Sequence, residues 1–321
     1  MSALSRRWFA GALTAAAVLG LVLPGSAAAT NRFPAVINGH APSLHPEGVA
    51  FDPTRGTFLV GSVKHGTVSV VGRDGSARTL VDDARMASTV GLRVDAARGR
   101  ILVAYGDLGL GDHSTPERRT GLGIFDLRTG RVRHLVELGA GAHLANDIAV
   151  DPLGNAYVTD SSGDSIYRVD PWGRASVLVS DPRFTSSSVG INGIAWHPGG
   201  YLLVGHYSTG TLFRVTLGAA PSVTEVGLDR KLVGADGIAL RPNGTLVVVT
   251  NHLGGSGEEA VTVLASRTRW QTAQEIAHEP WPVPDPTTVA VSPFGDYVVS
   301  GDLSILIGTG QTTDTFTLRR R

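Results

Sequence analysis

Apolar residues come in short runs of four to six along this chain, and Gly, Pro, Asn and Asp punctuate them. Such runs read as strands and turns, and long stretches with helical periodicity are missing. One run recurs. The segments "EGVAFDP" (from Glu47), "VGLRVDA" (Val90), "NDIAVDP" (Asn146), "NGIAWHP" (Asn192), "DGIALRP" (Asp236) and "TTVAVSP" (Thr287) start 43, 56, 46, 44 and 51 residues apart. After each comes a turn and a second apolar run: "TFLVG", "RILVAY", "NAYVTD", "YLLVGH", "TLVVVT" and "DYVVSG". A third usually follows, as in "SIYRVD" and "TLFRVT", and a weaker fourth, as in "ASVLVS".

Four strands per repeat at this period predict an all-β, six-bladed β-propeller with four-stranded antiparallel blades. The last repeat is short, so the segment Phe33 to Ile37 is expected to complete it and close the ring. No linker divides residues 30–321, which read as one domain.

In such a ring the first strand of each blade lies nearest the axis. The residues heading those strands, Glu47, Val90, Asn146, Asn192, Asp236 and Thr287, are therefore expected to converge on one mouth of the central channel. The loops between second and third strands open on the same face. There the chain is elaborated by "GDLGLGDHSTPERRT" (Gly106 to Thr120), "NHLGGSGEE" (Asn251 to Glu259) and, between blades five and six, "AHEPWPVPDP" (Ala277 to Pro286). Long loops gathered on one face are more often functional than structural.

Carboxylates and carboxamides without sulfur suit a hard cation. Glu47 and Asp236 balance a dication, and Asn146 and Asn192 add neutral oxygens, so the expected cofactor is a divalent metal, calcium above magnesium. Asn-Gly and Asp-Gly are also favoured turn dipeptides, which accounts for Asn192 and Asp236 without a metal but not for Glu47 or Asn146-Asp147. His206 and His252 lie at or just beyond the ends of second strands and are candidate general bases. His65 and His113 read as turn or surface histidines. His143 stands close to Asn146, and His197 falls in a turn on the opposite face. Asp160 ends a second strand facing the mouth and is a candidate to support a metal ligand or line the substrate pocket, Trp281 lies in a Pro-rich mouth loop and is a candidate pocket wall, and Trp196 reads as core.

Composition narrows the function. The 28 basic residues, all but Lys64 and Lys231 arginine, balance 28 acidic ones without a basic run or stripe, so no nucleic-acid partner is expected. There is no cysteine, which excludes disulfides, thiolate metal sites and cysteine nucleophiles. At the N-terminus, Arg6-Arg7 precedes an apolar run from Ala10 to Leu23 and then Ala27-Ala28-Ala29. This pattern predicts an export signal over residues 1–29, with "SRRWFAG" similar to a twin-arginine motif. The mature chain is then secreted or extracytoplasmic, carries about −2 net charge, has no integral membrane segment, and is expected to be a monomer.

The blade spacing, with "EG" at Glu47, "ND" at Asn146, "NG" at Asn192 and "DG" at Asp236 in that order, resembles the calcium-dependent six-bladed propellers that include gluconolactonase, regucalcin and, more distantly, paraoxonase. The resemblance implies a metal-dependent hydrolase of lactones or related esters. It also implies Glu47, Asn146, Asn192 and Asp236 as ligands, Asp236 as a water activator, and Asp147 as a ligand to a second, deeper calcium, although Asp147 reads equally as an acceptor of backbone N–H bonds in the channel. The sugar-lactone members carry Arg-x-Asn-Asp before the third blade, whereas this chain has Leu144-Ala145-Asn146-Asp147. Leu144 cannot hydrogen-bond a sugar hydroxyl, so an apolar lactone or ester is the expected substrate. The alternative is a non-catalytic propeller that binds or scaffolds, and a strictosidine-synthase-like role is a third reading.

Overall fold

A computed structural model describes residues 33–140 and 142–321. The expected leader and its cleavage position lie outside the described residues. Six antiparallel sheets follow one another along the chain, each running outward from its first strand. The innermost strands are Val49–Asp52, Ser88–Asp95, Ala145–Val150, Ile191–His197, Ala235–Leu240 and Pro286–Ser292. The architecture is the six-bladed propeller that the repeats predict. Blade five gains a short fifth strand, Gly227–Leu228, parallel to Thr272–Pro280.

The ring closes as expected, with a small shift in position. Val36–His40 pairs antiparallel with Thr315–Arg320 as the outer strand of blade six, in the register Val36 to Arg319. Phe33 precedes the strand and works as an anchor: its ring stacks on Phe294 and meets Phe58 and Tyr297 edge-on. The Tyr297 hydroxyl donates to the carbonyl of Pro34. The first and last blades are thereby joined through a buried aromatic cluster rather than by a disulfide.

The "DP" that ends the first and third repeat segments is turn chemistry. Asp52 accepts the backbone N–H of Thr54 at 2.8 Å, and Asp151 accepts that of Asn155 at 2.9 Å. These Asx-type bonds replace ladder bonds where the strand must stop. Gly154 completes the turn at φ 89°, a conformation that suits glycine.

Apolar side chains from adjacent sheets interdigitate between blades, as where Ile148, Val158 and Leu102 meet. Trp196 packs against the cluster containing Ile194 and Phe213 and agrees with its core reading. The one α-helix among the described residues, Leu303–Thr309, is inserted between the second and third strands of blade six. No described helix is long and apolar enough to cross a membrane.

Candidate metal centre at the channel

The residues heading the repeats do not precede the inner strands in most blades but lie within them, at a repeated irregularity. Pairing to the second strand slips between Thr89 and Leu92, Ala145 and Ile148, Ile191 and Ile194, Ala235 and Ile238, and Pro286 and Val289. Five blades thus carry a β-bulge at the same two positions. A bulge frees a pair of residues from the ladder and re-aims their side chains, which explains why the strand-disfavouring pairs Asn146-Asp147, Asn192-Gly193 and Asp236-Gly237 sit here.

The second bulge position is usually glycine because neighbouring inner strands nearly touch there. A Cβ on Gly91 would lie 2.3 Å from the carbonyl oxygen of Asn146, and one on Gly193 would lie 2.3 Å from that of Asp236. Blade three places Asp147 at this position. Its carboxylate reaches across to accept the N–H of Ile194 in blade four at 3.1 Å and also takes that of Ile148 at 2.8 Å. Arg93 of blade two lies 3.7 Å away.

Threonine hydroxyls tie the bulges together. Thr159 Oγ1 donates to the carbonyl of Asn192 at 2.7 Å, and Thr287 Oγ1 donates to that of Glu47 at 2.6 Å. Glu47, Asn146, Asp147 and Asn192 border a cavity with about 10 Å³ of room for a water-sized sphere, about the space of one water or one ion.

Two parts of this ring differ. In blades four and five the polar groups are wired together. Asp236 accepts from Asn192 Nδ2 at 2.8 Å and from Asn251 Nδ2 at 2.6 Å. Tyr207 donates its hydroxyl to Asn251 Oδ1 at 2.5 Å, which fixes the amide so that its Nδ2 faces Asp236. In blades one and three, Glu47 Oε2 and Asn146 Oδ1 are sealed from solvent and have no hydrogen-bond partner among the described residues.

The electrostatics follow from burial. Burial, then the Asp236 and Asp147 carboxylates, holds the Glu47 carboxyl well above its usual range. Asp236 is pushed up to about 7, chiefly by burial, against the opposing pull of the Asn251 and Asn192 hydrogen bonds. Burial also raises Asp147, despite Arg93 and two backbone N–H groups. Three carboxylates crowded out of water favour protons or a cation. Among the described residues no group of three or more His, Asp or Glu side chains forms a ready-made metal cluster. The donor set relies instead on asparagine oxygens, and the orphaned atoms on Glu47 and Asn146 fit a hard cation.

The other expected site residues are placed as follows. His206 is fully buried beside blade four, and both ring nitrogens are engaged: Nε2 with the Thr185 carbonyl at 3.2 Å, and Nδ1 with the Thr209 N–H at 3.3 Å. His252 is exposed on the blade-five loop, its ring 3.7 Å from Glu259. Neither joins the acidic cavity. Trp281 packs among Val261, Val263 and Val289 between blades five and six, in the core and not against the cavity. Asp160 is buried and clamps the loop before blade three: it accepts the Leu144 N–H at 2.9 Å and pairs with His143 Nδ1 at 2.6 Å. Leu144 is half-buried over Gly106, where a Cβ would come within 2.4 Å of its Cδ1.

On the mouth face, Val63, Leu303 and Leu306 form an apolar cluster joined by Leu108, Leu110 and Leu253. All come from loops after second strands, in blades one, six, two and five. Sequence reasoning passed over Asn251, Tyr207, Thr159 and Arg93. Asn251 follows the second strand of blade five directly, the one signal that marked it.

No protein-family model matches the chain, and no curated protein matches it. Solved structures do match. The allergen Mala s 1 of Malassezia sympodialis superposes with a TM-score of 0.70 at 17% identity, over 89% of this chain and 95% of that one. Regucalcin from Agrobacterium tumefaciens, described as a calcium-binding protein, gives 0.60 at 20% identity over 88% and 95%. A gluconolactonase from Xanthomonas campestris gives 0.60 at 16% over 88% of both chains. The chain shares their fold. At such identities the likeness carries the propeller and not the chemistry.

Proposed function

We propose that this chain is an exported, divalent-metal-dependent hydrolase of apolar lactones or related esters, with calcium held in the acidic cavity of the channel. The observation that carries the reading is the pair of sealed, unpartnered oxygens, Glu47 Oε2 and Asn146 Oδ1, on residues that border one cavity together with Asp147, Asn192 and Arg93, with Asp236 joined to it through Asn192. Each buried orphan costs about 1–3 kcal/mol, and a scaffold with no ligand to hold gains nothing in return. Glu47, Asn146, Asn192 and Asp236 would hold the cation. A cation bound there supplies Lewis-acid polarisation of a carbonyl oxygen.

The protein's own part is positioning and proton handling. Asp236 would take the proton from water; its raised pKa of about 7 belongs to the metal-free fold, and a bound cation would favour its ionised form. Asn192 and Asn251 fix the plane of its carboxylate, and Tyr207 fixes Asn251. The apolar cluster over the mouth and Leu144 support an apolar substrate. Gluconolactonase and regucalcin among the structural neighbours support the reaction class, and the sequence of residues 1–29 supports export with cleavage after Ala29.

The test is turnover of a long-chain lactone, an aryl ester and gluconolactone by purified protein, with calcium and with chelator. Calcium-dependent turnover that favours the apolar substrates is expected. A clear preference for gluconolactone would overturn the substrate reading. No turnover under any condition would return the chain to the binding-scaffold alternative.

A further inference from the structure

Three residues after each repeat heading, the inner strands carry Ala50, Arg93, Ala149, Ala195, Ala239 and Ala290. Five blades place the smallest ordinary side chain where the strands converge, and blade two alone places an arginine. The Arg93 guanidinium crosses the space the alanines leave open. Its Nε donates to the carbonyl of Ile148 in blade three at 2.8 Å, and its Nη2 reaches that of Ile194 in blade four at 3.5 Å. It thereby divides the channel in two. On one side lies the acidic cavity. On the other lies a second cavity of about 290 Å³ at the far ends of the inner strands.

This second cavity has a distinct character. Among the described residues, Arg93 is its single ionisable lining residue, and the rest is alanine, valine, leucine, Phe51 and Trp196. The Arg93 side chain is 27% exposed, so its charge is accessible. Asp147 offsets that charge only in part: it stands 3.7 Å away and also accepts two backbone N–H groups.

We propose that this end of the channel is a binding site for a small monocarboxylate with an apolar tail, its carboxylate on Arg93 and its tail against the alanine-lined wall. A planar guanidinium matches a carboxylate's geometry. Arg93 supplies a single positive charge, which balances a monoanion and leaves the remaining charge of a polyanion without a partner among the lining residues. The volume is near the lower end of small-molecule sites, about 300–1,000 Å³, so the ligand is compact. The site shares Arg93 with the acidic cavity but takes its tail wall from the other end of the channel, and it does not depend on the hydrolytic reading.

Hexanoate, hexanol and inorganic phosphate serve as probes in calorimetric titrations of the folded protein, run with calcium and again with chelator. Saturable hexanoate binding is expected in both buffers, with hexanol weaker by about tenfold or more and no phosphate binding. Arg93→Gln is expected to lose about tenfold or more in hexanoate affinity. Ala195→Leu, which keeps the charge but fills the wall, is expected to lose binding as well, and it decides the matter if Arg93→Gln does not fold. Equal affinity for hexanoate and hexanol overturns the proposal, as does unchanged binding in a folded Arg93→Gln or Ala195→Leu protein. Hexanoate binding that appears only with calcium also overturns it, because that result assigns the carboxylate to the metal centre.

Discussion

Asn146 and Asn192 occupy the same bulge position in adjacent blades, yet they live differently. Asn192 hands its Nδ2 to Asp236 and its backbone carbonyl to Thr159. Asn146 leaves Oδ1 sealed and unpartnered, as Glu47 leaves Oε2. One part of the ring has its hydrogen bonds completed within the protein, and the other leaves two buried oxygens without a partner among the described residues. Rigid groups on the wired side hold Asp236 in one orientation. On the open side, oxygens that have already lost their water would, in the proposed reading, bind a cation without further desolvation of their own. An engineered binding site is built the same way, with a fixed supporting shell behind groups left ready for the ligand.

The strongest test of this division is Asp236→Ala, because Asp236 belongs to both parts: it is wired to Asn192 and Asn251 and charged against Glu47. The substitution should lower turnover by about 10²–10⁴-fold and weaken calcium binding at the same time, as measured by kcat/KM and calorimetry in one buffer. Normal turnover would refute the catalytic reading. Glu47→Gln and Asn146→Ala probe the open part alone. If the cation binds as proposed, calcium at a hundred times its Kd should add about 2.7 kcal/mol to the stability of the parent protein, seen as a rise in Tm. Both variants should melt at the same temperature with and without calcium. If they keep the full shift, the cation binds elsewhere.

The pH dependence sharpens the same contrast. Glu47, Asp147 and Asp236 all have raised pKa values in the metal-free fold. Their protonated forms are favoured by folding, so their contribution is fully present below the ordinary carboxyl range. It is lost as pH rises through the folded values, about 7 for Asp236. Between about pH 5 and pH 8 the Tm in chelator should therefore fall, and saturating calcium should flatten that slope, because binding replaces the protons. His206 and His197, whose pKa values burial lowers, contribute in the opposite sense, so the slope is compared between the parent and Asp236→Asn, and equal slopes in the two proteins would mean that Asp236 is not raised as described.

Much of the propeller was legible because the physics repeats. Six copies of one strand–turn pattern need no long-range information to be recognised. The residue types at the repeat headings were legible for the same reason. The bulge that aims them was not, because Asn192-Gly193 and Asp236-Gly237 read locally as turns, and only pairings such as Ile191 with His206 and Ile194 with Val204 reveal a slip. Asn251 and Tyr207 were hidden because their bonds join loops of different blades. Arg93 was visible in principle as the one break in a column of alanines, but it is informative only once the column is known to line a channel. His206 and Trp281 show the converse error. Each lies on a mouth-side segment, but sequence does not say which way a side chain turns at a strand end, and both turn into packing.

Those placements set the smallest expected effect. A general base must reach the proton it removes, and it needs a ring nitrogen free to accept it. His206 has both nitrogens engaged by backbone groups of its own blade, and burial lowers its pKa. His252 faces solvent beside Glu259, outside the acidic cavity. His252→Gln should accordingly leave calcium affinity and kcat within about twofold of the parent, as exposed substitutions usually do. His206→Gln should lower Tm by disturbing the Thr185 and Thr209 contacts while kcat, measured well below that Tm, stays in the same range. A fall in kcat of about 10²-fold or more in either variant, with calcium affinity intact, would move the base from the wired part of the ring to a histidine. It would also require the blade-four or blade-five loop to rearrange when substrate binds.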